Sequence, residues 1–308
     1  SPTSGGFCRT GGVDGAGASV DRAALLPRRA VLPRRARGVE SDVFPADLDA
    51  GQLQAALYRD PLRAVVREHA IGGGNQLCHH DGGYSTWRVN ITEALKESAD
   101  ISIVVDNSPN EEVYPQMADF TFYGGIYRDV NIIAVSRTHF DLDYYGGSGL
   151  KITPIVEGKD AKVEVEVFVK NIKDGQQIAY TIYDKEENEL DKIVSTDKKV
   201  VFEIKNVHLW HGRRDPYLYC CECEIVENDE VVDNVCSRFG CRTFKIDPEK
   251  GFFLNGEAYP LRGVSRHQDR LGFGNALLPE HHKEDMEFIY EVGCTTIRLA
   301  HYQHDQYF

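Results

Sequence analysis

Two histidines near the end of the chain carry its plainest chemical signal. His267 stands in Arg262-Gly263-Val264-Ser265-Arg266-His267-Gln268-Asp269, and His301 stands in Thr296-Ile297-Arg298-Leu299-Ala300-His301-Tyr302. Both segments read as strand ends flanking one helix. The C-terminal end of a parallel strand is where β/α barrel enzymes place their reactive groups. A lone histidine after a strand is usually a core residue. Two of them on successive strand ends converge on one pocket, with Arg298 beside them.

The elements that position these residues follow from local pattern. Phe252–Leu254 and Ala258–Leu261 are short apolar runs joined through Asn255-Gly256, a two-residue hairpin signal. Pro279 to Val292 reads as an amphipathic helix, with Met286, Phe288, Ile289 and Val292 as its apolar positions and Gly293 as its stop. Cys294 to Ala300 is then β-branched and apolar, so the order is strand, helix, strand, which forces a parallel crossover. A barrel needs about eight such strands and about 250 residues. The sequence from 247 onward holds two.

Composition narrows the function classes. The 308 residues are 42% hydrophobic and 27% charged, enough for two or three domains with their own cores. No run of eighteen apolar residues occurs, and the start lacks the apolar stretch of a secretory signal, so neither a membrane span nor export is expected. The net charge of −13 disfavours nucleic acid as a partner and suits an enzyme of neutral substrates. Eight cysteines without a small-domain framework fit a reducing cytoplasm. Cys220-Cys221-x-Cys223, with Cys236 and Cys241, could suggest zinc, but residues 218 to 226 alternate as a strand. That places Cys220 on one face and Cys221 and Cys223 on the other, so buried or half-buried free thiols are expected. His301 and His304 have no helix beneath them and are not read as a metal pair.

Residues 1–77 differ from the rest: they are rich in Ala, Gly and Arg and contain Pro27-Arg28-Arg29 and Pro33-Arg34-Arg35. They read as a leader, a fusion scar or an out-of-frame stretch, with one possible helix over Leu53–Val66 interrupted by Pro61. From His80 the pattern turns to strands. Thr86 to Ile91 alternates, Ile101 to Val105 is a buried-type run, and Gly124 to Ile133 holds a turn and an apolar strand. Val163, Val165, Val167 and Val169 repeat at period two, with Lys162, Glu164 and Glu166 on the opposite face. Further strands are expected at Ile178–Tyr183, Lys199–Ile204, Leu218–Val226 and Val231–Phe239, as in an immunoglobulin-like sandwich.

Five motifs together carry a family resemblance: His80-Asp81-Gly82-Gly83-Tyr84-Ser85, Phe122-Tyr123-Gly124-Gly125-Ile126-Tyr127-Arg128-Asp129-Val130, Leu209-Trp210-His211-Gly212-Arg213-Arg214-Asp215-Pro216-Tyr217-Leu218-Tyr219, and the two histidine segments. In this order and spacing they resemble glycoside hydrolase family 2, and within it a β-galactosidase, from about residue 78 to 308. The resemblance implies a multidomain, mainly β chain: the C-terminal part of a jelly-roll sugar-binding sandwich over 78–140, an immunoglobulin-like β-sandwich over 141–246, and the first strands of a (β/α)8 TIM barrel over 247–308. β-Glucuronidases and β-mannosidases share that architecture. Arg128-Asp129 and His301-Tyr302-Gln303-His304 are the galactosidase-like details.

By the same resemblance, Asp129 binds a sugar hydroxyl and a monovalent cation at the barrel mouth, its plain alternative being a turn Asp with local hydrogen bonds. His267 and His301 contact galactosyl hydroxyls and the transition state, with Arg298 beside them. A retaining glycosidase needs a carboxylic acid and a carboxylate nucleophile about 5 Å apart. The family's two catalytic glutamates and most of its magnesium ligands are expected beyond Phe308, and magnesium and sodium belong to the full-length family. Glu280, Glu284, Glu287 and Glu291 lie on the crossover helix and take no catalytic role. The expectation is therefore part of a retaining β-galactosidase, homo-oligomeric at full length and inactive alone. The alternatives are a β-glucuronidase-like member or a non-catalytic β-sandwich binding module.

Overall fold

The computed structural model describes residues 30–31, 56–58, 65–66, 71–72, 75–94, 103–109 and 118–308. One compact unit holds Val135–Pro260; a second holds Leu261–Phe308 with the described residues between Val31 and Ala134.

In the second unit, β1 (Ala56–Tyr58) pairs antiparallel with β2 (Asn131–Ala134), placing Leu57 opposite Ile132. Val65–Val66 pairs in the same sense with His80–Asp81. The helix expected over Leu53–Val66 is therefore replaced by strand at its described positions; ladder partners outweigh a weak helical pattern. Trp87, Val89 and Ile91 are buried and pack with Leu77, Cys78, Val130 and Ile132, so the alternation at 86–91 is real in burial. Its backbone is not a continuous strand, because Asn90 Oδ1 accepts the Thr92 N–H at 3.0 Å and turns the chain into a short 3-10 helix at Thr92–Ala94. Of the run 101–105, only 103–105 is described; it is irregular, and Val104 is 45% exposed. Ile71–Gly72 pairs antiparallel with Asn75–Gln76, and the leader residues other than 30–31, 56–58, 65–66, 71–72 and 75–77 lie outside the described residues.

The first unit is a two-sheet antiparallel sandwich. Its strands are β3 (His139–Phe140), β4 (Leu150–Glu157), β5 (Asp160–Val167), β6 (Val169–Lys170), β7 (Gln177–Tyr183), β8 (Glu189–Ser195), β9 (Lys199–Ile204), β10 (Tyr219–Glu227) and β11 (Glu230–Phe239). One sheet has the order β9-β5-β4, the other β8-β7-β10-β11, and β3 pairs with β6. Val163, Val165 and Val167 point inward from β5 and meet Tyr180 and Ile182 of β7 and Cys221, Cys223 and Ile225 of β10 in one core. Each buried Val or Ile contributes roughly 1.5–3 kcal/mol. The strand β8 gives no sequence signal because it is an edge strand, five of whose seven residues are exposed and three charged.

Cys221 and Cys223 share a face, their sulfurs 3.9 Å apart, and Cys220 and Cys241 are buried as well. Burial pushes the Cys220 thiol up to about 12 and the Cys241 thiol up to about 11, which makes both poor nucleophiles. Cys78 and Cys294 are thiols as well, whereas Cys236 is disulfide-bonded, against the expectation of a thiol there.

The chain leaves the sandwich through β12 (Phe244–Asp247), β13 (Gly251–Leu254) and β14 (Glu257–Ala258). Asn255 and Gly256 turn the last hairpin with φ of 50° and 81°, as a type I′ turn requires. This hairpin belongs to the sandwich unit: Asn255 Nδ2 donates to the Trp210 carbonyl at 3.0 Å, and Arg214 pairs with Glu257 at 2.8 Å.

Then β15 (Gly263–Arg266), α1 (Pro279–Glu291) and β16 (Thr296–Leu299) form a parallel strand, helix, strand unit, with Val264 opposite Ile297. Gly263 is required, since a Cβ there would collide with the Thr296 carbonyl across the ladder. Pro279 opens α1, His281 Nδ1 accepts the Leu278 N–H at 3.1 Å, and Gly293 at φ 89° ends it. The buried helix residue is His282; Met286, Phe288 and Val292 remain exposed in the described structure.

Candidate functional site

Parallel pairing sets Arg266 opposite Leu299, and the Ala300 N–H continues the ladder to the Arg266 carbonyl at 2.9 Å. The residues that follow, His267 and His301, therefore leave adjacent strand ends side by side. Their ring centroids are 5.1 Å apart with planes at 72°, an edge-to-face pair. The peptide bond between Ala300 and His301 is cis.

Arg298 Nη2 donates to His301 Nδ1 at 3.0 Å. A guanidinium has no lone pair to offer, so His301 Nδ1 is the acceptor and its proton sits on Nε2. That leaves His301 Nε2 as an N–H donor. The Nδ1 of His267 is buried without a partner. Three of the four expected site residues thus come together. Asp129 is exposed, and the residue beside it, Arg128, is the one that turns inward.

Four further side chains complete the site, and the sequence pattern gives none of them a role there. The ring of Phe120 lies 5.5 Å from His301, near parallel, and 5.4 Å from both His267 and Tyr302. Tyr302 stacks on Tyr84 at 4.5 Å and accepts the Gln268 N–H at 3.0 Å. Burial holds its phenol above the usual tyrosine range. Gln268 Oε1 accepts the Asp305 N–H at 2.6 Å, and Arg128 donates to the Gln303 carbonyl at 2.7 Å. The aromatic run Phe120-Thr121-Phe122-Tyr123 just before Gly124-Gly125 is the trace that could have drawn attention to the first of them.

Beneath the histidines lies a buried polar cluster around Arg266. Its Nε and Nη2 reach Asp285 Oδ2 at 2.8 and 2.6 Å, Nη1 donates to His304 Nδ1 at 3.1 Å, and Nη2 donates to His282 Nδ1 at 3.1 Å. The Phe308 ring covers the guanidinium at 4.1 Å. His304 Nε2 donates in turn to the Ala300 carbonyl at 3.1 Å. Both imidazoles are held neutral. Burial, aided by the Arg266 and Arg128 cations and opposed by the Ala300 carbonyl, pushes His304 down to about 4. Burial and Arg266 likewise lower His282.

Among the described residues no hydrogen bond or ion pair joins a carboxylate to His267 or His301. On α1, Glu284 is ion-paired with Arg270, and Glu280, Glu287 and Glu291 are exposed. Among the described residues no group of three or more His, Cys, Asp or Glu gathers to hold a metal. Asp129 offers one carboxylate, which does not by itself make a divalent-ion site. No helix among them is long and apolar enough to cross a membrane.

A β-sandwich leading into a parallel βαβ unit whose strand ends carry converging histidines defines a class, and the comparisons agree with it. Residues 148–242 match the model of Glycosyl hydrolases family 2. The chain belongs to glycosyl hydrolase family 2. It is 36% identical to a β-glucuronidase of Bacteroides fragilis over 241 residues, covering 74% of this chain and 35% of that protein. It is 29% identical to a β-galactosidase of Thermoanaerobacter pseudethanolicus, covering 74% of this chain and 32% of that protein. The crystal structure of an FMN-binding β-glucuronidase from Facaelibacterium prausnitzii L2-6 superposes with a TM-score of 0.76 at 37% identity, covering 91% of this chain and 42% of that one. The chain spans about a third of the length of the curated relatives it matches.

Proposed function

We propose that this chain forms the glycone-binding part of a retaining β-glycosidase, with His267 and His301 donating to sugar hydroxyls. The carrying observation is their convergence at 5.1 Å on two adjacent parallel strand ends, with the proton of His301 placed on Nε2 by Arg298. In this reading the βαβ unit opens a (β/α)8 barrel, and the described segments before Ala134 belong to a jelly-roll sugar-binding domain. The acid and nucleophile of the double displacement are carboxylates supplied by sequence other than this chain's α1 glutamates. For the cations that the family resemblance implies, the proposed contribution of this chain is the exposed Asp129 carboxylate.

The first substrate reading is a terminal β-D-galactoside, supported by Arg128-Asp129 and His301-Tyr302-Gln303-His304. A β-D-glucuronide is the second, supported by the identity to the Bacteroides fragilis β-glucuronidase, 36% against 29% for the Thermoanaerobacter pseudethanolicus β-galactosidase. Titrating the 308-residue chain with methyl β-D-galactoside, methyl β-D-glucuronide and methyl α-D-mannoside separates the readings. Saturable binding of one β-glycoside and not of the mannoside is expected, and the tighter of the two names the substrate class. Equal response to all three sugars would sink the proposal.

A further inference from the structure

The two histidines leave different strands, so something must fix one relative to the other. Covalent connection does not do it, because 33 residues of loop, helix and strand lie between them. The pairing of β15 and β16 ends at Arg266 and Leu299, one and two residues short of the rings. Beyond that point the register is carried by side chains, and Arg128 is placed to carry it.

Arg128 is 7% exposed and comes from a third segment of the same unit. Its Nη2 donates to the Gln303 carbonyl at 2.7 Å, two residues past His301. The same nitrogen reaches Gln268 Oε1 at 3.5 Å, one residue past His267. Its Nη1 donates to the Tyr84 carbonyl at 3.3 Å, and the Tyr84 ring stacks on Tyr302, the neighbour of His301. Gln268 closes the lattice from the other side, its oxygen accepting the Asp305 N–H at 2.6 Å and its backbone N–H donating to the Tyr302 hydroxyl at 3.0 Å.

We propose that Arg128 is a positioning residue, which sets the His267–His301 geometry by clamping the loops that follow both histidines to the Tyr84 segment. The inference rests on the reading of those histidines as glycone-binding groups. Chemistry selects arginine for this place. A planar guanidinium presents five N–H donors in a fixed fork and can serve several carbonyl acceptors at once, whereas an ammonium is a compact point charge on a flexible stem. Two of the three acceptors are backbone carbonyls, so the clamp holds main chain and is indifferent to the side chain at 303.

The test uses the full chain with its histidines labelled at Cε1, read by NMR before and during titration with methyl β-D-galactoside and methyl β-D-glucuronide. Without sugar, the wild-type chain should show a cross-relaxation peak between the His267 and His301 rings. Arg128→Met should abolish that peak and Arg128→Lys should weaken it strongly, while Gln303→Ala should leave it intact. The signals of His139 and His208, in the sandwich unit, should stay in place in every variant. With sugar, Arg128→Met should weaken binding about tenfold, yet add nothing in a His301→Ala background, because its effect passes through that ring. A ring-to-ring peak that persists in Arg128→Met would overturn the clamp whether or not sugar binds. Failure of the wild-type chain to bind either sugar, with the peak still lost in Arg128→Met, would instead count against the glycone reading and leave the clamp standing.

Discussion

Arg266 grips Asp285 through Nε at 2.8 Å and Nη2 at 2.6 Å, tying the end of β15 to α1 directly beneath the histidine pair. The arginine side chain is 5% exposed and the aspartate 31%. Burying a guanidinium is costly unless it is paired and its donors are satisfied. Here His282 and His304 take two more of them. Asp285→Asn keeps the size and removes the charge, leaving Arg266 uncompensated. It should destabilise the second unit by about 3 kcal/mol, measured as a lower urea midpoint, with the sandwich transition unchanged.

The same cluster makes stability depend on pH. His304 has its ordinary value of 6.5 when unfolded and about 4 when folded, so between these pH values the unfolded chain binds the extra proton. Its contribution is complete above 6.5 and is lost as pH falls through the window toward 4, with His282 acting in the same direction. The loss for His304 should amount to about 3 kcal/mol, at about 1.4 kcal/mol per unit of pKa difference. Thermal melts of the second unit between these limits should show the decline, and His304→Asn should flatten it.

Two glycines should respond differently to alanine. At Gly256 the added Cβ meets open space, so the cost is the left-handed backbone alone, about 1 kcal/mol. At Gly263 the Cβ would strike the Thr296 carbonyl, so Gly263→Ala must push β15 and β16 apart. Its cost should exceed about 3 kcal/mol, the upper range for overpacking. Circular dichroism melts of both variants would check the order.

Legibility in the sequence followed burial geometry. The valines of β5 alternate because one face is buried and the other wet, and the Asn255-Gly256 turn and the Pro279 to Gly293 helix carry local signals that need no tertiary information. The edge strand β8 and the irregular backbone at 86–91 carry none, since pairing in one and a single Asn90 side-chain bond in the other decide them. In the site, His267, His301 and Arg298 could be read because strand ends announce them. Arg128, Phe120, Gln268 and Tyr302 could not be given their parts, because these depend on which segments meet in space. The apolar positions of α1 were visible too, but what the helix buries in the described structure is His282.

His267 and His301 are proposed to act together on a β-linked sugar. Following both Cε1–H signals while methyl β-D-galactoside, and separately methyl β-D-glucuronide, is added to the full chain tests it most directly. Both signals should move along one saturable curve for at least one sugar, and His301→Ala should remove the response of His267 as well. Movement of one ring without the other, or a His267 response that survives His301→Ala unchanged, would contradict it.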